Sequence, residues 1–350
     1  MKFHPNIFIV NNDYHFVIIT KKPSQVLLKI GRKTYFEDNG GIIPVLSPVH
    51  RFIVPQSVLD KAGKYEIIVR KVVEKRPYFP FYTAPVKMFY NFKNDRFDGL
   101  KGFYFADTHN RYNQAKAQIK NEKDLDFIIF NGDFGETEKV ADIYKLNQFF
   151  SDVTKGSIPV LFVRGNHDTR GYYAEELYKY MGMDGTNGYF KFSFRSIEGL
   201  ALDCGEDKVD AHPEYNNSNY FEVYRKEELA YIKKAKFGQG KYRIAVCHTS
   251  FMLQESMHGP FDIDRDTYSK WAKALNEKNL ACMFCGHIHR YLISPASETD
   301  IQPHNYPVLT CSKVTKNYEN IYGAHLTFEN GKITVRFAKD NGDVPDTYQV

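Results

Sequence analysis

The sequence predicts an α/β protein that begins with a small all-β region. Three observations lead to this fold class. Short apolar runs separated by turn residues fill residues 1–90. Apolar strands and helical patterns then alternate along the rest of the chain, which is the order of an α/β fold. The chain ends in two apolar runs joined by Asn330-Gly331, which is a strong hairpin signal.

The all-β region is expected to form a small sandwich over residues 1–90. Its predicted strands are 7–10, 15–19, 26–30, 51–54 and 65–69. Leu59, Gly63 and Tyr65 have the spacing of a tyrosine corner, in which the Tyr hydroxyl bonds to backbone a few residues upstream. On this evidence the region resembles a fibronectin type III or immunoglobulin-like module.

A proline-rich segment, 76–85, is expected to connect this region to a second domain over residues 91–350. Proline at this density disfavours helices and central strands. The boundary is expected between 85 and 97. Beyond it, predicted strands alternate with helical patterns: strands at 102–106, 125–130, 158–163, 244–246 and 281–284, and helices at 140–153, 173–181, 222–236 and 266–278.

The composition is that of a soluble globular protein, with 43% hydrophobic and 25% charged residues. The net charge of +5 suits an enzyme with anionic substrates, and the pI near 8.7 is below that of dedicated nucleic-acid binders. The sequence has no apolar run long enough to span a membrane and no recognisable signal peptide, so we expect a cytoplasmic location and no membrane partner. The odd number of cysteines, five, does not suggest a disulfide framework, and Cys282 and Cys285 are expected to be buried apolar residues.

Each of five predicted strands is followed by polar side chains that could bind a metal ion. They are Asp107 and His109; Asp133; Asn166, followed by His167 and Asp168; His248; and His287 with His289. Because ligands gather at the carboxyl ends of strands in open α/β sheets, we expect these groups at one place. Carboxylates, imidazoles and amide oxygens suit divalent ions such as Mn, Fe or Zn. Two ions about 3.5–4 Å apart can clamp both oxygens of a phosphoryl displacement, and Asp133 is the candidate bridging ligand.

These motifs, with Gly132, Gly165 and Gly286 directly before ligands, resemble the signature of the calcineurin-like metallophosphoesterase superfamily. The resemblance covers roughly residues 98–350 and implies a four-layer α-β-β-α sandwich around two mixed sheets. It also implies two metal sites that share one carboxylate. The first ion would be bound by Asp107, His109, Asp133 and His289, and the second by Asp133, Asn166, His248 and His287.

The resemblance further implies that His167 lies beside the substrate without binding metal, and that Asp168 hydrogen-bonds and orients it. The expected reaction is hydrolysis of phosphomonoesters or phosphodiesters by a hydroxide held between two divalent or mixed-valence ions. His167 is expected to stabilise the transition state or protonate the leaving group. Arg164, Arg170 and His258 follow or adjoin the ligand motifs and are further candidates for substrate contacts.

The all-β region ahead of the catalytic part resembles the arrangement of purple acid phosphatases. Those enzymes have a Tyr ligand soon after the bridging Asp and no His in the first motif, whereas Phe134 follows Asp133 here and His109 is present. A Tyr–Fe(III) site is therefore not expected.

Three alternatives stay open at this point. A nuclease or cyclic-nucleotide phosphodiesterase would use the same fold, although the sequence has no concentrated basic run near the motifs. A non-catalytic scaffold would be expected to have lost ligands, and an adhesion protein would be expected to carry a signal peptide. The expected substrate is a phosphorylated small molecule or nucleotide, while the native metals and the oligomeric state are left open.

Overall fold

The computed structural model describes residues 1–37, 42, 46–120, 122, 124–135, 137–251, 263–297, 303–312 and 320–350. Its strands, in chain order, are β1 (Asn6–Val10), β2 (Asp13–Ile19), β3 (Ser24–Ile30), β4 (Lys33–Tyr35), β5 (Val49–Pro55), β6 (Lys64–Glu74), β7 (Phe81–Tyr82), β8 (Val86–Asn91), β9 (Leu100–Phe105), β10 (Phe127–Asn131), β11 (Val160–Val163), β12 (Phe190–Phe194), β13 (Ile197–Leu202), β14 (Tyr242–Cys247), β15 (Cys282–Cys285), β16 (Tyr291–Ser294), β17 (Val308–Cys311), β18 (Tyr322–Glu329), β19 (Lys332–Lys339) and β20 (Thr347–Gln349). Its α-helices are α1 (Gln56–Ala62), α2 (Tyr112–Gln118), α3 (Val140–Thr154), α4 (Phe221–Lys234) and α5 (Arg265–Asn276). Short 3₁₀ helices lie at His167–Thr169, Ala174–Lys179 and Pro213–Tyr215.

Nine strands form the largest sheet, in the order β20-β19-β18-β9-β10-β11-β1-β2-β5. Its central strands β9, β10, β11 and β1 are parallel, and antiparallel strands flank them on both sides. Every residue of β10 is buried, as expected of a parallel strand that is covered on both faces. The ring of Phe130 in β10 packs against Phe149 and Phe150 of α3, with centroids 5.9 and 5.1 Å away. Helix α3 therefore covers one face of this sheet.

Six strands form a second sheet, in the order β12-β13-β14-β15-β17-β16. Its strands β13, β14, β15 and β17 are parallel. The hydroxyl of Tyr104 in β9 donates to the backbone oxygen of Cys285 in β15 at 2.8 Å, so the two sheets contact each other face to face. Helix α5 packs on the second sheet through buried side chains that recur at helical spacing, namely Tyr268, Trp271, Ala272 and Leu275.

The expected separate sandwich over residues 1–90 is not confirmed, because three of its strands continue the large sheet. Strand β1 pairs in parallel with β11, with Phe8 opposite Val160, and β2 and β5 follow. The side-chain amide of Asn6 also donates to Asn147 Oδ1 of α3 at 2.8 Å. The remaining strands β3, β4, β6, β7 and β8 form a smaller third sheet. Local patterns identified strands here, but they carry no information on partners so distant in the chain.

Tyr65 connects the third sheet to the catalytic part of the chain. Its hydroxyl donates to the backbone oxygen of Gly156, in the loop between α3 and β11, at 2.7 Å. In a tyrosine corner the partner would instead lie a few residues upstream, so this expectation is corrected. The ring of Tyr65 packs edge-on against Phe16 of β2 and stacks on Tyr90 of β8, each at 5.1 Å. Tyr65 therefore joins the sheets instead of closing a local turn.

All five cysteines are buried and free, which confirms the expected burial of Cys282 and Cys285. Within the described residues, no helix combines the length and apolar character needed to cross a membrane.

Candidate metal centre

The predicted ligands follow strands of both large sheets. Asp107, Asp133 and Asn166 come after β9, β10 and β11 of the nine-stranded sheet, whereas His248 and His287 come after β14 and β15 of the six-stranded sheet. The side chain of Asn131, at the end of β10, joins the two edges by donating to Cys247 O at 3.1 Å and to the hydroxyl of Tyr104 at 2.6 Å. The parallel arrangement of these strands therefore brings the carboxyl ends together, as expected.

One group of potential ligands consists of Asp107, His109 and His289, whose donor atoms all lie within 4.8 Å of one another. His289 Nε2 is 3.3 Å from Asp107 Oδ1 and 3.2 Å from His109 Nε2. The backbone N–H of His287 donates to the other oxygen of Asp107 at 2.8 Å, which fixes the carboxylate. These three side chains can converge on one cation.

A second group consists of Asp133, His248 and His287, again within 4.8 Å. His248 Nε2 lies 3.3 Å from Asp133 Oδ2 and 3.7 Å from Asp107 Oδ1, so the two groups are immediate neighbours. His248 Nδ1 donates to Asn131 O at 2.6 Å, which leaves Nε2 to face the carboxylates. Fixing one imidazole nitrogen in this way is typical of metal-binding histidines.

The buried polar atoms of the site match the needs of metal ions. Asn166 Oδ1 is buried without a hydrogen-bond partner, and the buried Asp107 Oδ1 and His248 Nε2 face other candidate ligands at 3.3 Å. Buried polar atoms rarely lack partners, because the loss of hydration is costly. Carboxylate, amide oxygen and imidazole together form the donor set of divalent transition ions. The residues present therefore fit a pair of such ions.

Backbone strain is concentrated in the same residues. Five of them have positive φ, which non-glycine residues rarely adopt: Asp107 (51°), His109 (40°), Asp133 (53°), His287 (70°) and His289 (51°). Such strain persists where the surroundings over-determine it, and it tends to occur at functional sites.

The charges of the site act strongly on one another. Burial opposes ionisation of Asp107, yet His248 and His289 hold its pKa far below the usual range. Burial also acts on Asp133, but His248 outweighs it and lowers the pKa to about 2. At His248 the carboxylates of Asp133 and Asp107 outweigh burial and raise the pKa to about 10. Burial and the nearby His248 lower the pKa of His287 to about 4, which keeps it in the neutral form that binds metals.

Three glycines are required by the close approach of the ligand loops. A Cβ on Gly132 would collide with the backbone of Gly165, and one on Gly165 would collide with the carboxylate of Asp133. A Cβ on Gly286 would lie 2.7 Å from Asp107 Oδ2. The glycines before the ligands thus leave room for side chains and backbone around the site.

Asp168 contacts backbone in both ligand loops. Its buried carboxylate accepts from the N–H groups of Gly165 at 2.8 Å, Asp133 at 3.1 Å and Phe134 at 3.2 Å. This differs from the expectation that Asp168 orients His167. The carboxylate instead holds the loop after β10 against the loop after β11.

His167 lies at the edge of the site, with its Nε2 3.9 Å from Asp133 Oδ2. Its backbone N–H donates to Asp133 Oδ1 at 3.0 Å. Arg170 lies beside it, with Nη1 3.4 Å from each ring nitrogen of His167. Arg170 also forms a bidentate ion pair with Glu206, in which Nε donates to Oε1 at 2.6 Å and Nη2 donates to Oε2 at 2.7 Å.

The other candidate substrate contacts are placed differently. Arg164 is mostly buried and pairs with Asp203, Nη2 to Oδ2 at 2.5 Å, and its guanidinium lies over the ring of Tyr224. It therefore has a structural partner behind the ligand loop. His258 lies outside the described residues.

Sequence reasoning missed the loop after β13. Glu206 in this loop is buried, accepts from Tyr215 at 2.9 Å, and holds Arg170. The next residue, Asp207, has its Oδ2 3.8 Å from His287 Nε2. The sequence carries the same signal as at the other ligands, because Asp203 and Glu206 follow the buried strand β13. Glu198 and Gly199 interrupt the apolar pattern of residues 197–202, so this pattern alone does not predict the strand.

Comparisons with solved structures support the fold. A purple acid phosphatase from yellow lupin (Lupinus luteus) superposes with a TM-score of 0.60 at 12% identity, covering 99% of this chain and 73% of that one. A dimetal phosphatase from Danio rerio gives a TM-score of 0.48 at 11% identity, covering 72% of this chain and 99% of that one. At 12% identity, the similarity to the lupin enzyme shows a shared fold only. The TM-score of 0.48 for the Danio rerio protein is too low to support a conclusion. A search among curated protein sequences finds no match.

A sequence comparison identifies the family. The profile described as calcineurin-like phosphoesterase matches residues 103–291. That range is more than half of the chain and contains both groups of potential ligands. The protein therefore belongs to the calcineurin-like phosphoesterases, which are hydrolases of phosphoester bonds.

Proposed function

We propose that this protein hydrolyses phosphomonoesters or phosphodiesters of small molecules or nucleotides at a two-metal centre. The observation that carries the proposal is the adjacency of two ligand groups, which are linked by His248 Nε2 at 3.3 Å from Asp133 and 3.7 Å from Asp107. A single structural ion would not need two such groups side by side. A pair of ions about 3.5–4 Å apart is the arrangement used for phosphoryl displacement, and two neighbouring ligand groups could hold such a pair.

In this proposal Asp107, His109, Asp133 and His289 hold the first ion, and Asp133, Asn166, His248 and His287 hold the second. Manganese, iron or zinc would suit these donors. When bound, such ions would lower the pKa of a water molecule and neutralise charge on the phosphoryl oxygens. The two groups of converging donors and the buried Asn166 Oδ1, which has no hydrogen-bond partner, support metal binding here.

The side chains of the chain itself then orient the substrate and move protons. His167, at the exposed edge of the ligand groups, would stabilise the transition state or donate a proton to the leaving oxygen. Arg170 would offer its Nη1 hydrogens to a phosphoryl oxygen, since Glu206 engages its other two nitrogens in a fixed geometry. Asp168 would act as a positioning residue for the ligand loops.

We also propose the four-layer order of the fold that the family resemblance implies. Its support is the packing of α3 on the large sheet, the contact between the two sheets through Tyr104, and the packing of α5 on the second sheet. Strands β1, β2 and β5 would then serve as an extension of the catalytic sheet.

The decisive experiment compares a matched pair of substrates on metal-reconstituted protein. p-Nitrophenyl phosphate and bis(p-nitrophenyl) phosphate share a leaving group, so the ratio of their kcat/KM values separates monoesterase from diesterase activity. A cyclic nucleotide and a single-stranded oligonucleotide added to the panel test the alternative activities. Two bound metals with no turnover of any phosphoester would contradict the proposal.

The His167→Ala variant tests the role of this side chain. We expect it to bind both metals and to lose about 10²- to 10⁴-fold in kcat, as is usual for a general acid or base. The loss should be larger for an alkyl phosphate than for an aryl phosphate, because alkoxides are poorer leaving groups. His4→Ala, an exposed histidine near the N-terminus, serves as the control. Loss of metal from the His167 variant, or full activity on alkyl phosphates, would exclude the role.

A further inference from the structure

The third sheet carries a hairpin that extends beyond the core. Strand β6 pairs with β8 over Lys64–Val69 and then with β7 at Val72 and Glu74. Its inward residues Tyr65, Ile67 and Val69 are buried, but no residue between 70 and 90 is. We call residues 70–90 the aromatic arm. Met88 and Tyr90, at the base of the arm, still pack against the core, whereas the rest of the arm is largely open to solvent.

The aromatic arm exposes large apolar side chains. Tyr78 and Phe79 at its tip are 91% and 78% exposed, and Phe89 in β8 is 75% exposed. Val73, Phe81 and Val86 are each more than half exposed as well. Soluble proteins seldom display so many neighbouring apolar side chains unless the surface binds something.

The charge of the arm indicates what it binds. It contains five basic residues, Arg70, Lys71, Lys75, Arg76 and Lys87, and a single acidic residue, Glu74. Arg76 pairs with Glu74 at 2.8 Å and Lys87 lies 3.6 Å from Glu66, which leaves an excess of three positive charges, on Arg70, Lys71 and Lys75. An excess of positive charge around exposed aromatic rings is complementary to an anionic partner.

The shape of the arm favours a lipid surface over a groove-forming partner. The most exposed rings, Tyr78 and Phe79, lie between Pro77 and Pro80 in the connection from β6 to β7, so they are accessible to a broad surface. Prolines restrict the tip without needing backbone hydrogen bonds. Tyrosine and phenylalanine are favoured at the boundary of headgroups and acyl chains, and nearby Lys and Arg attract anionic lipid.

We propose that the aromatic arm is a peripheral docking element for membranes rich in anionic phospholipid. Tyr78 and Phe79 enter the headgroup region, and the basic residues around them contact lipid phosphates. The expectation of no membrane partner rested on the lack of a spanning segment, which surface docking does not require. The docking is independent of the proposed phosphoesterase activity, since no potential metal ligand lies in the arm.

Co-sedimentation of the full chain with vesicles tests the proposal. We expect binding to phosphatidylcholine vesicles that contain phosphatidylserine, much weaker binding to phosphatidylcholine alone, and loss of binding at high salt. The double variant Tyr78→Ser/Phe79→Ser should lose binding to both vesicles. The double variant Lys75→Ala/Arg76→Ala should bind anionic vesicles about fivefold more weakly for each charge removed.

The matched control is Phe36→Ser/Phe97→Ser, because these rings are 70% and 69% exposed but lie outside the arm. It should sediment like the unmodified chain, and all variants should hydrolyse a soluble aryl phosphate equally. Absence of binding to anionic vesicles would overturn the proposal, as would unchanged binding of the Tyr78/Phe79 variant. A dimer that depends on these two rings, without vesicle binding, would overturn it in favour of self-association.

Discussion

The Asp168→Asn variant tests whether this carboxylate holds the two ligand loops together or orients His167. The structure gives it three backbone donors, Gly165, Asp133 and Phe134, at 2.8–3.2 Å. Burial and the nearby Asp133 raise the pKa of Asp168 to about 7, so above that pH its hydrogen bonds are bonds to a charged group, which contribute about 1.5–3 kcal/mol. Asparagine keeps one acceptor oxygen and turns an NH₂ group toward a donor, so at least one bond is lost and the others weaken. We expect a loss of about 3 kcal/mol in the free energy of unfolding.

The same substitution should loosen both ligand loops. Because Asp133 and Asn166 lie on them, we expect metal affinity to fall about 10- to 100-fold, as for other residues that orient ligands. Chelator competition with metal analysis measures the affinity, and urea unfolding of the metal-free protein measures the stability. Asp266→Asn is the control, since that side chain is 80% exposed. Unchanged metal affinity with a strong fall in kcat would refute this reasoning and return Asp168 to the orientation of His167.

Three further substitutions test other parts of the structure. Gly286→Ala places a Cβ 2.7 Å from Asp107 Oδ2, so metal analysis should show loss of the first ion while far-UV circular dichroism stays unchanged. Tyr65→Phe leaves the oxygen of Gly156 without its 2.7 Å donor and should cost about 1–3 kcal/mol in urea unfolding; an unchanged midpoint would contradict the linking role. Burial and the nearby Arg51 lower the pKa of His15 to about 4. As the pH falls, this histidine therefore becomes protonated in the unfolded state at a higher pH than in the folded state. Stability should fall by about 1.4 kcal/mol per pH unit from about pH 6.5 down to about 4, and this component should vanish in His15→Gln.

Much of the candidate site was predictable because it depends on local patterns. Apolar strands followed directly by polar residues predicted Asp107, Asp133 and His248 as neighbours, and the structure brings them together. Strand β13, which precedes Glu206, is also buried and followed by polar residues, but its sequence pattern did not predict it. The role of Asp168 was not predictable, since its partners are backbone N–H groups that leave no mark on the sequence.

The sequence by itself determined the α/β alternation, the positions of the polar residues after the strands, and the family to which they point. These follow from periodicity and from short-range backbone geometry, which each segment encodes alone. The tertiary structure alone decided that β1 pairs with β11, that Tyr65 bonds to Gly156, and that Tyr78 and Phe79 stay exposed. The pairing of strands depends on backbone hydrogen bonds and burial across the whole molecule. An apolar strand taken by itself is therefore compatible with several positions in a sheet.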